Sequence, residues 1–246
     1  GIFMKKTMKK VIFILLLLTV SVYALFLTYL HFFVPGGKDL SGEWTGGLDM
    51  TKQAAVTAFG WLQEVEAVSV SLEDMESYMQ DLTIQVNLTL EQTSRTGGTF
   101  RCHVLPESYD ACRQAAYEGF ARAFREILAE RLRMAGHAEN TDMEAVENLV
   151  TETFGMSTVS YLKSCGPALL PSLEELQAQY DGGGVYDAAG GILTSQFDNA
   201  PSVTKTEGYI RKGSSLILFE KTDSDTSGHS SDDYPVIYTL KHSSNQ

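Results

Sequence analysis

Val11 to Val34 reads VIFILLLLTVSVYALFLTYLHFFV, 24 residues without one Asp, Glu, Lys or Arg. A helix needs roughly 20 such residues to cross the hydrocarbon core of a bilayer, so this run constrains the chain before any other feature does. Lys5, Lys6, Lys9 and Lys10 all precede it and no acid accompanies them. The positive-inside rule keeps that end in the cytoplasm and sends the rest outward. The competing reading is a cleaved signal peptide, whose apolar region runs about 7–15 residues. This run is longer, and the bulky Tyr29-Leu30-His31-Phe32-Phe33 behind it offers no small-x-small cleavage site. The expectation is a single-pass signal anchor in the cell membrane. Residues 1–10 are then cytoplasmic, 11–34 transmembrane and 35–41 a tether opened by Pro35-Gly36-Gly37. Residues 42–242 form one extracytoplasmic domain.

Charge narrows the choice of partners. Residues 38–246 hold 15 basic against 31 acidic side chains, a net of −16. Phosphate contact requires the opposite sign, so nucleic acid is excluded as a partner. Cys102, Cys112 and Cys165 are the three cysteines. An extracytoplasmic site permits a disulfide, and Cys102 and Cys112 lie ten residues apart across one corner. The reading adopted is three reduced, shielded thiols that act as small hydrophobes.

After the tether the pattern is strands interrupted twice by helices. Gly42–Asp49 reads as a first strand. Ala55, Phe59 and Leu62 recur at helical spacing over residues 51–66, and Ser71-Leu72-Glu73-Asp74 is a capping box for a short second helix. Ile84, Val86, Leu88 and Leu90 alternate with polar residues, and so do Phe100, Cys102 and Val104 beyond the turn at residues 93–98; this is a β-hairpin with one buried face. A long helix follows Pro106, with Ser108 as its expected N-cap. Thr141-Asp142-Met143-Glu144 and Ser172-Leu173-Glu174-Glu175 read as capping boxes for further helices. Gly182-Gly183-Gly184 reads as a helix stop and a flexible lead-in. Strands then return at residues 185–187, 192–194, 205–211, 215–220 and 236–240. About eight strands joined by hairpins or helical excursions exclude a parallel α/β sheet. They predict an α+β fold, an antiparallel up-and-down β-barrel with helical insertions between strands 1–2 and 3–4. The larger insertion spans 107–181.

Several short motifs fit one known architecture. Gly42-x-Trp44 on a first strand, the hairpin Gly98-Thr99-Phe100, the strand start Gly184-Val185-Tyr186 and the final Tyr238-Thr239-Leu240 resemble the lipocalin-like barrels of bacterial envelope proteins. Over most of residues 42–242 the chain resembles a group of membrane-anchored extracytoplasmic proteins of Gram-positive anaerobes. Leu48-Asp49-Met50-Thr51, Tyr109-x-x-Cys112-x-x-Ala115-Ala116-Tyr117 and Gly166-Pro167-Ala168-Leu169-Leu170-Pro171-x-Leu173-Glu174-Glu175-Leu176 carry that likeness. In lipocalins an arginine from a late strand packs over the tryptophan; here the resemblance points to Arg211 or Lys241 over Trp44. It implies a fold and no chemistry.

Catalytic signatures are absent from the sequence. Residues 103, 137, 229 and 242 are histidines without HxxxH or HExxH spacing, and no Gly-x-Ser-x-Gly occurs. Asp223-Ser224-Asp225-Thr226-Ser227-Gly228 copies the start of a calcium loop, with Asp223, Asp225 and Ser227 as the donors. The position of its bidentate Glu is held by Tyr234, so a solvated acidic hairpin loop is the preferred reading. The expectation is therefore a non-enzymatic, cofactor-free envelope domain that binds a small apolar ligand, a peptide or another envelope protein. Its rival is a structural or interaction module whose barrel interior is filled. A ligand pocket of roughly 300 Å³ or more separates the two. In an up-and-down barrel both helical insertions leave from one end, and tether geometry places that end away from the bilayer. The helices are expected to cap the barrel mouth there, with the acidic loop of residues 223–233 beside them, and the ligand or partner is expected at that helix-capped end.

Overall fold

The computed structural model describes residues 2–33, 39–65, 70–137, 139, 141–221 and 234–241. The first element is the helix α1 (Ile2–Phe33). It is long and apolar enough to cross a membrane, and none of its most apolar stretch is buried against the rest of the chain.

The remaining elements follow the predicted order. They are β1 (Gly42–Asp49), α2 (Thr51–Val65), α3 (Leu72–Tyr78), β2 (Thr83–Gln92), β3 (Gly97–Val104), α4 (Pro106–Met134), α5 (Met143–Phe154), α6 (Thr158–Cys165), α7 (Leu173–Tyr180), β4 (Gly182–Ala189), β5 (Ile192–Phe197), β6 (Lys205–Lys212), β7 (Ser215–Glu220) and β8 (Val236–Leu240). The eight strands pair antiparallel in chain order and β8 closes on β1, giving a closed up-and-down barrel. Closure removes every free sheet edge.

The barrel follows from a period of two. In β2, Ile84, Val86, Leu88 and Leu90 are buried while Thr83, Gln85 and Thr89 are exposed. In β1 the inward set is Trp44, Gly46 and Leu48. Gly46 stands opposite Tyr238. A Cβ at residue 46 would come within 2.6 Å of the Tyr238 ring, so glycine is required for that ring to lie flat against β1. The β4–β5 connection is a two-residue turn at Gly190-Gly191, with φ of 61° and 78°, values that glycine adopts without strain.

Strand parity sorts the connections. The links β2–β3, β4–β5 and β6–β7 are short turns at the end where β1 begins. The links β1–β2, β3–β4, β5–β6 and β7–β8 lie at the other end, which therefore carries α2 and α3 together with α4–α7. The helical layer is joined to the barrel by one continuous core. Ala54, Ala55, Ala58 and Leu62 of α2, Met75 of α3 and Cys112, Ala116 and Phe120 of α4 are buried with Ile84 and Val86. Small residues on α2 let its backbone approach its neighbours closely.

Some local expectations are corrected. The N-cap of α4 is Leu105, with Pro106 at the first helical position. Ser108 instead accepts a 2.8 Å hydrogen bond from the Gln85 N–H, tying the helix start to β2. Asp142 alone caps α5, so Thr141 forms no capping box. The capping boxes at Ser71 and Ser172 form as predicted. Helix α6, unforeseen, is capped by Ser157. Gly182–Gly184 belong to β4 and pair with β3, because Phe100 and the Gln196 carbonyl leave no room for a side chain at residue 184. All three cysteines are free. Cys102 and Cys112 are buried as expected, but Cys165 is exposed, because it ends α6 on the outer surface of the helical layer.

Candidate functional site

The two ends of the barrel interior are built differently. At the end where β1 begins, the interior is solid. Trp44 is fully buried, and its indole Nε1 donates a 2.9 Å hydrogen bond to the Leu40 carbonyl. The Arg211 guanidinium lies 5.0 Å from the centre of the Trp44 ring, a cation–π stack. Leu40 and Leu216 are buried beside them in the same core. Of the two cations raised in the sequence, Arg211 is the one that stacks on Trp44.

Toward the helical end the interior opens into a cavity of ≈ 390 Å³. Leu48, Leu88, Leu90, Leu193, Leu218 and Val236 line it together with Phe100 and Phe197. The two phenyl rings meet edge to face, with centroids 5.1 Å apart. The volume exceeds the roughly 300 Å³ that a small-molecule pocket requires. Of the helices only α7 contributes to the wall, through Gln179 and Tyr180. The helical layer thus flanks the mouth rather than sealing it.

The mouth carries the charged groups of the cavity, and Tyr186 and Ser195 add further polar side chains to its wall. Glu207 points inward from β6 and is 5% exposed. Its Oε2 accepts a 2.7 Å hydrogen bond from the Tyr234 hydroxyl and stands 3.6 Å from Lys205 Nζ. Withdrawing a carboxylate from water costs on the order of several kcal/mol unless good partners replace the solvent. Here one neutral hydroxyl and one half-exposed ammonium do so. Tyr238 is buried in the same wall, and burial raises its hydroxyl above the ordinary tyrosine range, with Cys102, Glu207, Tyr180 and Tyr234 close enough to add to the shift. Cys102 also lines the cavity. Burial pushes its thiol up to about 11, and burial does the same to Cys112, so neither is a ready nucleophile.

A second carboxylate shows the contrast. Glu147 on α5 accepts hydrogen bonds from the Thr158 N–H (3.0 Å), the Thr158 hydroxyl (2.6 Å) and Arg125 (3.0 Å). Burial acts to raise this carboxyl, but the Thr158 and Arg125 bonds outweigh it and hold the group below the usual range. It is a tie between α4, α5 and α6.

The calcium candidate formed by Asp223, Asp225 and Ser227 lies outside the described residues. Among the described residues no group of three or more His, Cys, Asp or Glu side chains converges as a metal site would require. His103 faces outward, as its alternation with Cys102 predicts, and its Nδ1 sits 3.1 Å from Asp181. The cavity residues that sequence reading passed over are Glu207, Lys205 and Tyr234. One signal pointed to the two on β6. If Arg211 is to reach Trp44 from inside, period two places Tyr209 and Glu207 inside as well. Comparison of the chain with protein-family models, with curated proteins and with solved structures found no match in any of the three.

Proposed function

We propose that the protein is a non-enzymatic, membrane-anchored envelope domain that binds a small, largely apolar ligand inside its barrel. In this reading α1 is the uncleaved anchor, the lysines keep the N-terminus in the cytoplasm, and the barrel stands outside the cell with its open end turned away from the bilayer. A lipocalin-like use of the barrel fits the Trp44–Arg211 stack at one end and the hollow at the other. The observation that carries the reading is the apolar cavity of ≈ 390 Å³, opening at the end that parity sets opposite the start of β1. A filled barrel serving only as a protein-interaction module would have no such space.

Two experiments test it. Solvent extraction of the full chain purified from membranes, followed by mass spectrometry, is expected to release one small apolar compound in a near-stoichiometric amount. Protease added to intact protoplasts is expected to remove a C-terminal tag. An empty extract combined with failure to bind any apolar probe argues for the filled-module reading. A protected tag overturns the topology.

A further inference from the structure

The ligand reading above leaves its head group open, and the mouth of the cavity restricts it. Glu207 is the only acidic residue in the cavity wall among the described residues. Both of its contacts, Tyr234 and Lys205, fall on Oε2, and no bond reaches Oε1 among the described residues. The Lys205 distance of 3.6 Å exceeds the roughly 2.7–2.9 Å of a charge-assisted hydrogen bond. Lys205 is also half exposed, so its ammonium keeps much of its own water.

A second acid lies next to Glu207 on the neighbouring strand. Register sets Glu220 directly opposite Glu207, and period two puts Glu220 on the same side of β7 as the buried Leu216 and Leu218. Like charges facing across a strand pair repel. Three phenol rings complete the mouth: Tyr180, Tyr234 and Tyr238. Lys205 already uses one of them, its Nζ lying 5.9 Å from the centre of the Tyr234 ring. Aromatic faces carry negative potential and attract cations. The rest of the wall is largely apolar, with Leu88, Leu90, Leu193 and Phe100 beside Cys102, Tyr186 and Ser195.

We propose that the cavity selects a cationic amphiphile, an organic ammonium that sits at Glu207 among Tyr180, Tyr234 and Tyr238 and extends its hydrocarbon part between Leu88, Leu90 and Leu193. The inference rests on the ligand-binding reading of the barrel and adds the charge of the head group. Among the described residues of the cavity wall, a ligand with an anionic head would have only Lys205 to meet it and would face Glu207 beside it.

The test compares three probes of one chain length: octylammonium, 1-octanol and octanoate. Each is titrated calorimetrically into the full chain reconstituted in phosphatidylcholine nanodiscs, with empty nanodiscs as the blank. Octylammonium is expected to bind at least roughly tenfold more tightly than octanol, the gain of one hydrogen bond to a charged group, and octanoate most weakly. Glu207→Gln is expected to bring octylammonium down to the octanol value and leave octanol unchanged. Tyr234→Phe keeps the carboxylate and is expected to retain the preference. Octanoate binding as tightly as octylammonium overturns the proposal, as does a preference that survives Glu207→Gln. The ranking in the unmutated chain decides the matter even if the Gln variant fails to fold. If octanol binds but octylammonium gains nothing, the charge assignment falls and the cavity reading stands. If none of the three shows saturable binding, both fall.

Discussion

The two ends of this barrel are made from the same eight strands and the same alternation, yet one is packed solid and the other is hollow. At the closed end Trp44 fills the cross-section, Leu40 caps it and Arg211 stacks on its ring. At the open end leucines and aromatic rings share the wall, and a carboxylate takes the place that a further apolar side chain would occupy. The fold therefore does not decide whether a barrel holds a ligand. Side-chain volume along each strand decides it, and an inward glutamate is a poor choice for a chain that only needs a packed core.

This contrast makes large and small changes predictable by location. Trp44→Ala should be the most damaging single substitution, costing about 3–5 kcal/mol, because it empties the closed end and leaves Arg211 without its ring. Chemical denaturation of the full chain in detergent measures it. A loss below about 1 kcal/mol would mean that the closed end is not packed as described.

Thiol chemistry probes burial in the two layers. Cys165 is expected to react within seconds with a maleimide in the native protein, while Cys102 in the cavity wall and Cys112 on the buried face of α4 wait for opening or unfolding. Peptide mapping of the labelled sites reads the outcome. Fast labelling of Cys102 without ligand would show a mouth wider than the structure has.

Glu147 is the satisfied acid against which Glu207 is judged. Its carboxyl is held below the ordinary range in the folded protein. Its contribution to stability is therefore complete above the unfolded value of about 4.3 and is lost as pH falls through the lower folded value. Denaturation midpoints followed from pH 6 downward should show that acid-side loss, and Glu147→Gln should flatten it. A smaller effect is expected at Tyr186, whose buried hydroxyl has no hydrogen-bond partner among the described residues. Tyr186→Phe should be neutral or stabilising by up to about 1 kcal/mol, since an unmet buried hydroxyl is a cost. A clear destabilisation in the same unfolding assay would reveal a partner for that group.

Much of the architecture was readable in the chain because apolar alternation is strict where one face is buried. Strands β2 and β3 repeat their pattern without a break, and the hairpin parity that puts α2–α7 at one end follows from counting strands. Helix α6 was hidden because its eight residues start from Ser157 without the acidic residue at the third helical position that marks α3 and α7. Strand β6 was misleading in a different way. Ile210 faces outward and is 51% exposed, whereas Glu207 faces inward. Hydropathy alone would turn that strand over. Only the demand that Arg211 reach Trp44 sets its orientation, and that is a statement about packing between distant residues. The polar groups of the cavity therefore became visible once β6 and β8 were placed in one barrel.

The central claim is that the open end is a ligand chamber. Native mass spectrometry of the full chain released gently from membranes, in the natural form and as Leu218→Trp, tests it most directly. Leu218 lies in the cavity wall, and the larger indole should occupy the chamber while changing stability by no more than about 1–3 kcal/mol. The account predicts one bound small molecule on the natural chain and none on the folded Trp variant. Equal loading of the two forms, or a bare natural chain that also takes up no octanol, would contradict it.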